Sequence, residues 1–400
     1  MLLKKELRKI LLVSLPMIMT PAFNMIFLIL AARVVDVTAY GNLAYTITLA
    51  SILIGFSDLG LRDYFLSKDG LPNKYAKSIN LLFFSTVVFT LIAFAQLLFL
   101  ASTPKMLFLF LAFLGEAYAL GVLHKTIYHE YQSENNLTRF SELDSIIRII
   151  PIVLKITILY STHNLLFALL TGSACTLLLY GFWLSSLHIT SKPDFTIAFR
   201  ELQSVWLDWR NWGIYTISFV SFFLYFGADK LVVEKILGIE QLAIFSAAMA
   251  FISIGQIAVG VLWSLYMPRL SRGERLWSYK KFMTLMTGLG VLTTIAYQLF
   301  SYYIYENIYP EEYKDGIFIL STASVYFLFR FPNVIIEINY ILDSKYQDFV
   351  KMRVLFGLVS ITLNFTLLPI IGIVGSALSL VASEMLLMLG LLLRRRRPTC

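Results

Sequence analysis

Apolar stretches of about 20 residues, separated by short polar segments, follow one another along almost the whole chain. Twenty residues at 1.5 Å rise span the ~30 Å hydrocarbon core of a bilayer, so each stretch predicts a membrane-crossing helix. Read with a window of that length, the pattern predicts about twelve of them, near 10–32, 40–57, 78–101, 106–123, 145–161, 164–187, 212–228, 241–266, 282–304, 316–340, 352–370 and 373–393. The weakly apolar LVVEKILGI after Asp229 and Lys230 reads as an extension of the seventh. The first run starts behind basic residues, MLLKKELRKILLVSLP, but continues past residue 30 with no small-residue cleavage site. It therefore predicts a retained helix and not a signal peptide.

Composition sharpens this picture. The chain is 58% hydrophobic and 14% charged, far below the roughly 25% charged residues of a soluble domain, so the expected class is an all-α, multi-pass membrane protein. A net charge of +8 would by itself suit nucleic acid, but the charges are sorted by membrane side, and no nucleic-acid partner is expected. With the N-terminus inside, the outer segments hold only Arg33, Lys105, Lys230, Lys235 and Lys314, while nearly all the other Lys and Arg fall in inner segments. Such sorting predicts an even number of spans and both termini in the cytoplasm. Cys175 and Cys400 form no disulfide framework and have no metal-ligand spacing. His124, His129, His163 and His188 lie in loops or at helix ends and read as solvated, so neither a metal nor a cofactor is expected.

The longest expected loops, around 124–144 and 188–211, leave no room for a soluble catalytic domain, so the chain does not read as an enzyme. The second carries Trp206, Trp209 and Trp212 at threefold spacing beside Arg200 and Arg210, the pattern of a helix lying along the headgroups. It divides the chain into a six-helix bundle over 1–190, an interfacial linker over 191–211 and a second six-helix bundle over 212–400. A weak internal repeat supports that division. VTAYGNLAYTITLASILIGF from Val37 aligns without gaps with IEQLAIFSAAMAFISIGQIA from Ile239, matching Gly41 with Ala243, Leu43 with Phe245, Leu49 with Phe251 and Ser51 with Ser253. Six helices per half is even, so the halves share one orientation, as in transporters that work by alternating access. Pro16 and Pro21 in the first helix each remove a backbone hydrogen bond and are candidate hinges.

Charged residues at membrane depth are the candidate chemistry. Glu116, Lys155, Arg330 and Glu384 interrupt apolar runs, and each would cost at least about 2.5 kcal/mol facing lipid. Arg148 and Lys155, seven residues apart, share a helix face with Lys155 roughly 10 Å deeper. A line of positive charge entering from the cytoplasm suits an anionic headgroup, and Lys155, Arg148 and Arg330 are its candidate ligands. Glu116 and Glu384 either pair with these cations or carry a coupling proton.

ARVVDVTAYGNLAYTITLASILIGFSDLGLRDYFLSKD resembles the helix 1 to helix 2 region of Wzx-type polysaccharide (O-antigen) flippases, with Asp58, Gly60 and Arg62 in the Asp-Leu-Gly-Leu-Arg motif that closes helix 2. FGADKLVVEKILGIEQLAIFSAAMAFISIGQIAVGVLWSLYMPRLSR resembles that family's helix 7 and 8 unit, and GIVGSALSLVASEMLLML its last helix. The resemblance implies a MATE-like fold in a bacterial inner membrane. It also implies a substrate of undecaprenyl-pyrophosphate-linked oligosaccharide, whose pyrophosphate Lys155, Arg148 and Arg330 would meet, with a polysaccharide polymerase and glycosyltransferases as partners. Two alternatives stay open: a MATE-like drug or cation exporter, to which Glu116 and Glu384 would be suited, and a membrane-embedded polymerase, against which the short acidic outer loop ENIYPEEYKDG argues. Asp58-Leu59-Gly60-Leu61-Arg62 reads first as a helix end, with a C-terminal glycine and a cation at the inner face.

Overall fold

A computed structural model of the chain describes residues 19–61, 74–100, 103–133, 137–187, 209–271, 279–342 and 345–395. Among these residues there is no β-strand. The helices are α1 (Met19–Val34), α2 (Val37–Phe56), α3 (Lys74–Leu100), α4 (Pro104–Tyr118), α5 (His124–Ser133), α6 (Leu137–Thr162), α7 (Leu165–Ser186), α8 (Trp209–Phe226), α9 (Ala228–Leu237), α10 (Ile239–Ser271), α11 (Tyr279–Asn307), α12 (Gly316–Ser324), α13 (Tyr326–Leu342), α14 (Tyr346–Ile371) and α15 (Val374–Arg395). Nine of the described stretches are long and apolar enough to cross a membrane, and α1 is a shorter apolar helix. The protein is an all-α, multi-pass membrane protein. Pro16, Arg62 and most of the interfacial linker over 191–211 lie outside the described residues.

Local chemistry sets the ends of several helices. Pro104 starts α4, where its missing N–H costs nothing, and the Asn164 side chain accepts a 3.0 Å bond from the Phe167 N–H to cap α7. Gly238 and Gly372, at φ of 87° and 65°, stop α9 and α14 in the left-handed conformation that lacks a penalty only without a Cβ.

Three helices differ from the sequence expectation. The 124–144 segment, expected as a loop, is helical: α4 continues through a π-helical turn, Ala119–Leu123, into α5, and α6 begins at Leu137. HKTIYHEYQS is too polar to read as a span, yet Thr126, Ile127, His129, Glu130 and Tyr131 are buried within it. LVVEKILGI contributes to a separate helix, α9, because the chain breaks at Gly227. The 316–340 stretch is interrupted at Val325, between α12 and α13.

The described chain divides into two compact units. Unit 1 comprises 1–34 and 42–219, and unit 2 comprises 35–41 and 220–400. In unit 1, Ala119, Leu123, Ile127, Tyr131, Phe140, Tyr180 and Trp183 form a buried aromatic-rich core. In unit 2, Phe327 stacks on Tyr297 at 5.6 Å and fills the space left by Gly255, where a Cβ would come within 2.2 Å of the Phe327 ring. Small residues admitting large rings in this way are how helices gain contact without a hydrophobic driving force in lipid. Exposed Phe83, Leu91, Phe94 and Leu98 of α3, and Leu292, Leu299 and Phe300 of α11, give these helices outward apolar faces, as lipid requires.

The aligned repeat has equivalent local roles in the two units. Leu43 and Phe245 are fully buried, and Leu49 and Phe251 nearly so. The Ser51 and Ser253 hydroxyls both donate back to the carbonyl four residues earlier, at 2.7 and 2.9 Å.

Candidate functional site: buried ion clusters in two helical units

The deep charges expected from the sequence are buried, and each meets partners. In unit 1 the Lys155 ammonium of α6 lies 3.0 and 3.1 Å from the two carboxylate oxygens of Glu116 on α4. It also stands 5.3 and 5.6 Å from the ring centroids of Phe27 and Phe113, within cation–π range. The Glu116 N–H donates to the Ser173 hydroxyl at 2.7 Å. Gly172 makes room for the lysine stem, since a Cβ there would lie 2.2 Å from Lys155 Cγ. Lys155 retains 2% exposure, so snorkelling to the headgroups is not its solution to membrane depth; a paired acid is.

Arg148 does not share that pair. It joins a second cluster of unit 1, in which its Nε donates to Asp144 Oδ2 at 2.7 Å and its NH2 group approaches His124 Nε2 at 2.6 Å. Tyr180 donates to Asp144 Oδ1 at 2.5 Å, and His124 Nε2 lies 3.4 Å from that same oxygen. Phe140, Tyr128 and Tyr180 surround the imidazole. The Arg148 side chain keeps 27% of its exposure, against 10% for Arg330 and 2% for Lys155. Of the three cations predicted to meet a pyrophosphate, it is the most accessible. The reading of the histidines as solvated is corrected here: His124 is partly buried in this cluster and His129 is 2% exposed, because α5 is a packed helix and not a loop. His163 is exposed, as expected.

Asp58 and Gly60 form a third feature of unit 1. Asp58 Oδ1 accepts from Lys125 Nζ at 2.7 Å, and that ammonium also reaches the Gly55 carbonyl and the Ser57 hydroxyl. Ser57 in turn donates to the Gly121 carbonyl of the π-helical turn at 2.6 Å. Leu59 and Gly60, at φ of 44° and 78°, turn the chain out of α2. Lys125 thus caps the carbonyl end of α2, where a cation is favoured by the helix dipole. The described part of the Asp-Leu-Gly-Leu motif has a structural role in this arrangement.

In unit 2, Arg330 of α13 donates to Glu337 Oε1 at 2.6 Å and reaches Glu384 Oε1 of α15 at 3.4 Å. The Asn333 amide donates to Glu384 Oε1 at 2.8 Å and to its backbone carbonyl at 3.2 Å. The Arg330 Nε and the Asn333 Oδ1 are buried without a hydrogen-bond partner. Sequence reading found Arg330 and Glu384 but missed Glu337, although Glu337 stands seven residues from Arg330 on one helix face, the spacing that related Arg148 to Lys155. Pro21, the described candidate hinge, sits in α1. Among the described residues no group of His, Cys, Asp or Glu is placed to hold a metal.

The class that the fold defines is an all-helical membrane protein of two units with paired charges buried in each. Solved flippases and exporters share this fold. The chain superposes on the lipid II flippase MurJ in its inward closed conformation with a TM-score of 0.71 and 14% sequence identity, over 97% of this chain and 88% of that one. It superposes on an inward-facing multidrug resistance MATE family transporter of the MOP superfamily with a TM-score of 0.64 and 14% identity, over 97% of both chains. In sequence, it is 21% identical over 357 residues to the capsular polysaccharide biosynthesis protein CapF of Staphylococcus aureus, covering 86% of this chain and 87% of that protein. No protein-family profile matches the chain.

Proposed function

We propose that this protein is a flippase that carries an undecaprenyl-pyrophosphate-linked oligosaccharide, a repeat unit of O-antigen or another surface polysaccharide, from the cytoplasmic to the periplasmic leaflet by alternating access. The membrane would be a bacterial inner membrane, with both termini in the cytoplasm. Glycosyltransferases would act before it and a polysaccharide polymerase after it. The observation that carries the proposal is the partly exposed side chain of Arg148, on a helix that also holds the buried Lys155, in a chain with a flippase and exporter fold.

A pyrophosphate and a sugar chain cannot cross hydrocarbon unaided, so a carrier has to supply cations and a wet path while the lipid tail stays in the bilayer. Arg148, paired through its Nε with Asp144, has the most exposed side chain of the three cations, and a guanidinium suits a phosphate because its N–H groups can bind two oxygens at once. Lys155 and Arg330 are engaged by carboxylates, and they reach the diphosphate where those acids release them. Similarity to a capsular polysaccharide biosynthesis protein supports a glycan-linked substrate. The second reading, a cation exporter, draws on the two carboxylates gathered on Arg330.

The test is made in cells lacking the gene. A complete repeat unit on undecaprenyl pyrophosphate should accumulate on the cytoplasmic side, and the wild-type gene should clear it while Arg148→Gln does not. Single units reaching the outer leaflet would point to a polymerase, and unchanged lipids with altered drug sensitivity to an exporter.

A further inference from the structure

The contact between Arg148 and His124 is a hydrogen bond in only one protonation state of the imidazole. A guanidinium has donors and no acceptor, so at 2.6 Å from Arg148 NH2 the His124 Nε2 must present its lone pair. Its proton is then on Nδ1, and the imidazole is neutral in this arrangement. Protonating Nε2 would set two donors against each other at that distance. The displaced N–H has an acceptor within reach, because Asp144 Oδ1 is 3.4 Å away and held in place by Tyr180.

We infer that His124 gates the diphosphate site: neutral, it occupies the Arg148 NH2 group, and protonated, it turns to Asp144 and leaves that edge of the guanidinium to an anionic headgroup. The groups around the imidazole support a two-state device. From α5, Tyr128 stacks beside it while Lys125, the next residue, is committed to Asp58. From α6 come Asp144, Arg148 and the ring of Phe140, and from α7 comes Tyr180. With His124 neutral, Asp144 and Arg148 cancel. With it protonated, the cluster carries one net positive charge beside a side chain that is 27% exposed. An imidazole is the side chain whose ordinary charge change falls between about pH 5 and 8, which sets the range in which the gate is tested. His124 acts through Arg148 and is a positioning residue. The ligand chemistry is a diphosphate, and the inference rests on the function proposed above.

The experiment uses the purified full-length chain in lipid nanodiscs. Binding of undecaprenyl pyrophosphate is measured from about pH 8 to about pH 6, with undecaprenyl monophosphate and inorganic pyrophosphate as competitors. Binding to the wild type should tighten by about tenfold over that range, the scale of one added charge-assisted hydrogen bond. His124→Gln, which offers Arg148 a neutral acceptor and cannot become charged, should lose most of that slope, the remainder belonging to the ligand's own ionisation. Equal slopes in wild type and His124→Gln, or a flat wild-type profile, would overturn the gate and leave the flippase reading standing. Absence of saturable lipid binding at every pH would overturn both. Competition by inorganic pyrophosphate as strong as that of the lipid would keep the gate but assign it to a free diphosphate.

Discussion

Lys155 in unit 1 faces one carboxylate, whereas Arg330 in unit 2 faces two. Both cations sit at positions where lipid exposure would be prohibitive; Lys155 is silenced by an acid on another helix, and Arg330 by one acid on its own helix and one on α15. The difference lies in what is left over. Glu116 and Lys155 form a closed pair, bidentate and flanked by two aromatic rings. Around Arg330 one acid, Glu337, is held tightly, and the other, Glu384, is 3.4 Å away and accepts a hydrogen bond from Asn333. A neutral closed pair is suited to holding helices together. A cluster with a surplus carboxylate has a group whose charge can change during a transport cycle, which makes Glu384 the stronger of the two candidate coupling acids.

The comparison breaks most visibly at the closed pair. Lys155→Ala or Glu116→Ala alone leaves a buried charge uncompensated, and each should cost about 3–5 kcal/mol of stability. Unfolding of the purified protein in detergent measures this. The double variant Glu116→Leu with Lys155→Met should regain most of the loss, because removing both members of a buried pair is far cheaper than removing one. Transport by that double variant also separates two roles: if it restores folding but not flipping, Lys155 touches substrate, and if it restores both, Lys155 is scaffold. Single variants as stable as the wild type would show that the pair holds nothing.

The next effect is steric. Gly172→Ala would place a Cβ 2.2 Å from Lys155 Cγ, and the stem is pinned by the Glu116 contact at its far end. We expect a loss of about 3 kcal/mol, the upper end for overpacking. Gly181, on the same α7 helix with nothing within 4 Å of an added Cβ, is the control. Gly181→Ala should be neutral or gain up to about 1 kcal/mol from helix propensity. Matching losses at the two positions would remove the argument that α7 is shaped around the lysine.

How much of this was legible beforehand follows from what each feature depends on. Most of the helical rods could be read because lipid imposes a long apolar run on each, a signal that needs no knowledge of neighbours. Glu116, Lys155, Arg330 and Glu384 could be read for the same reason, as charges interrupting those runs. α5 could not, because His129 and Glu130 are polar residues whose burial exists only once α4 has passed through its π-helical turn. Partner choice was harder still. Asp144 and Arg148 are four residues apart and visible as a helical pair, but His124 and Tyr180 reach them from other helices, and no local pattern announces that meeting. Likewise Lys125 falls within the loop expected at 124–144, and its engagement with Asp58 is a product of tertiary packing.

The smallest effect discriminates most finely between the two acids of unit 2. Glu337→Gln removes a charged acceptor 2.6 Å from Arg330 and should cost about 2 kcal/mol, the scale of a hydrogen bond to a charged group. Glu384→Gln should cost under about 1 kcal/mol, since glutamine still offers an oxygen to the Asn333 amide and only weakens a contact that was already long. Yet the functional order should be reversed. In proteoliposomes of the His124→Gln background, which removes the pH response of the headgroup site, Glu384→Gln should transport at a rate that no longer responds to an imposed pH difference, because its amide cannot gain or lose a proton, while Glu337→Gln should keep that response at reduced stability. If both variants lose stability equally and both retain the pH response, Glu384 is simply a second structural ligand of Arg330, and the asymmetry between the two units is one of geometry and not of mechanism.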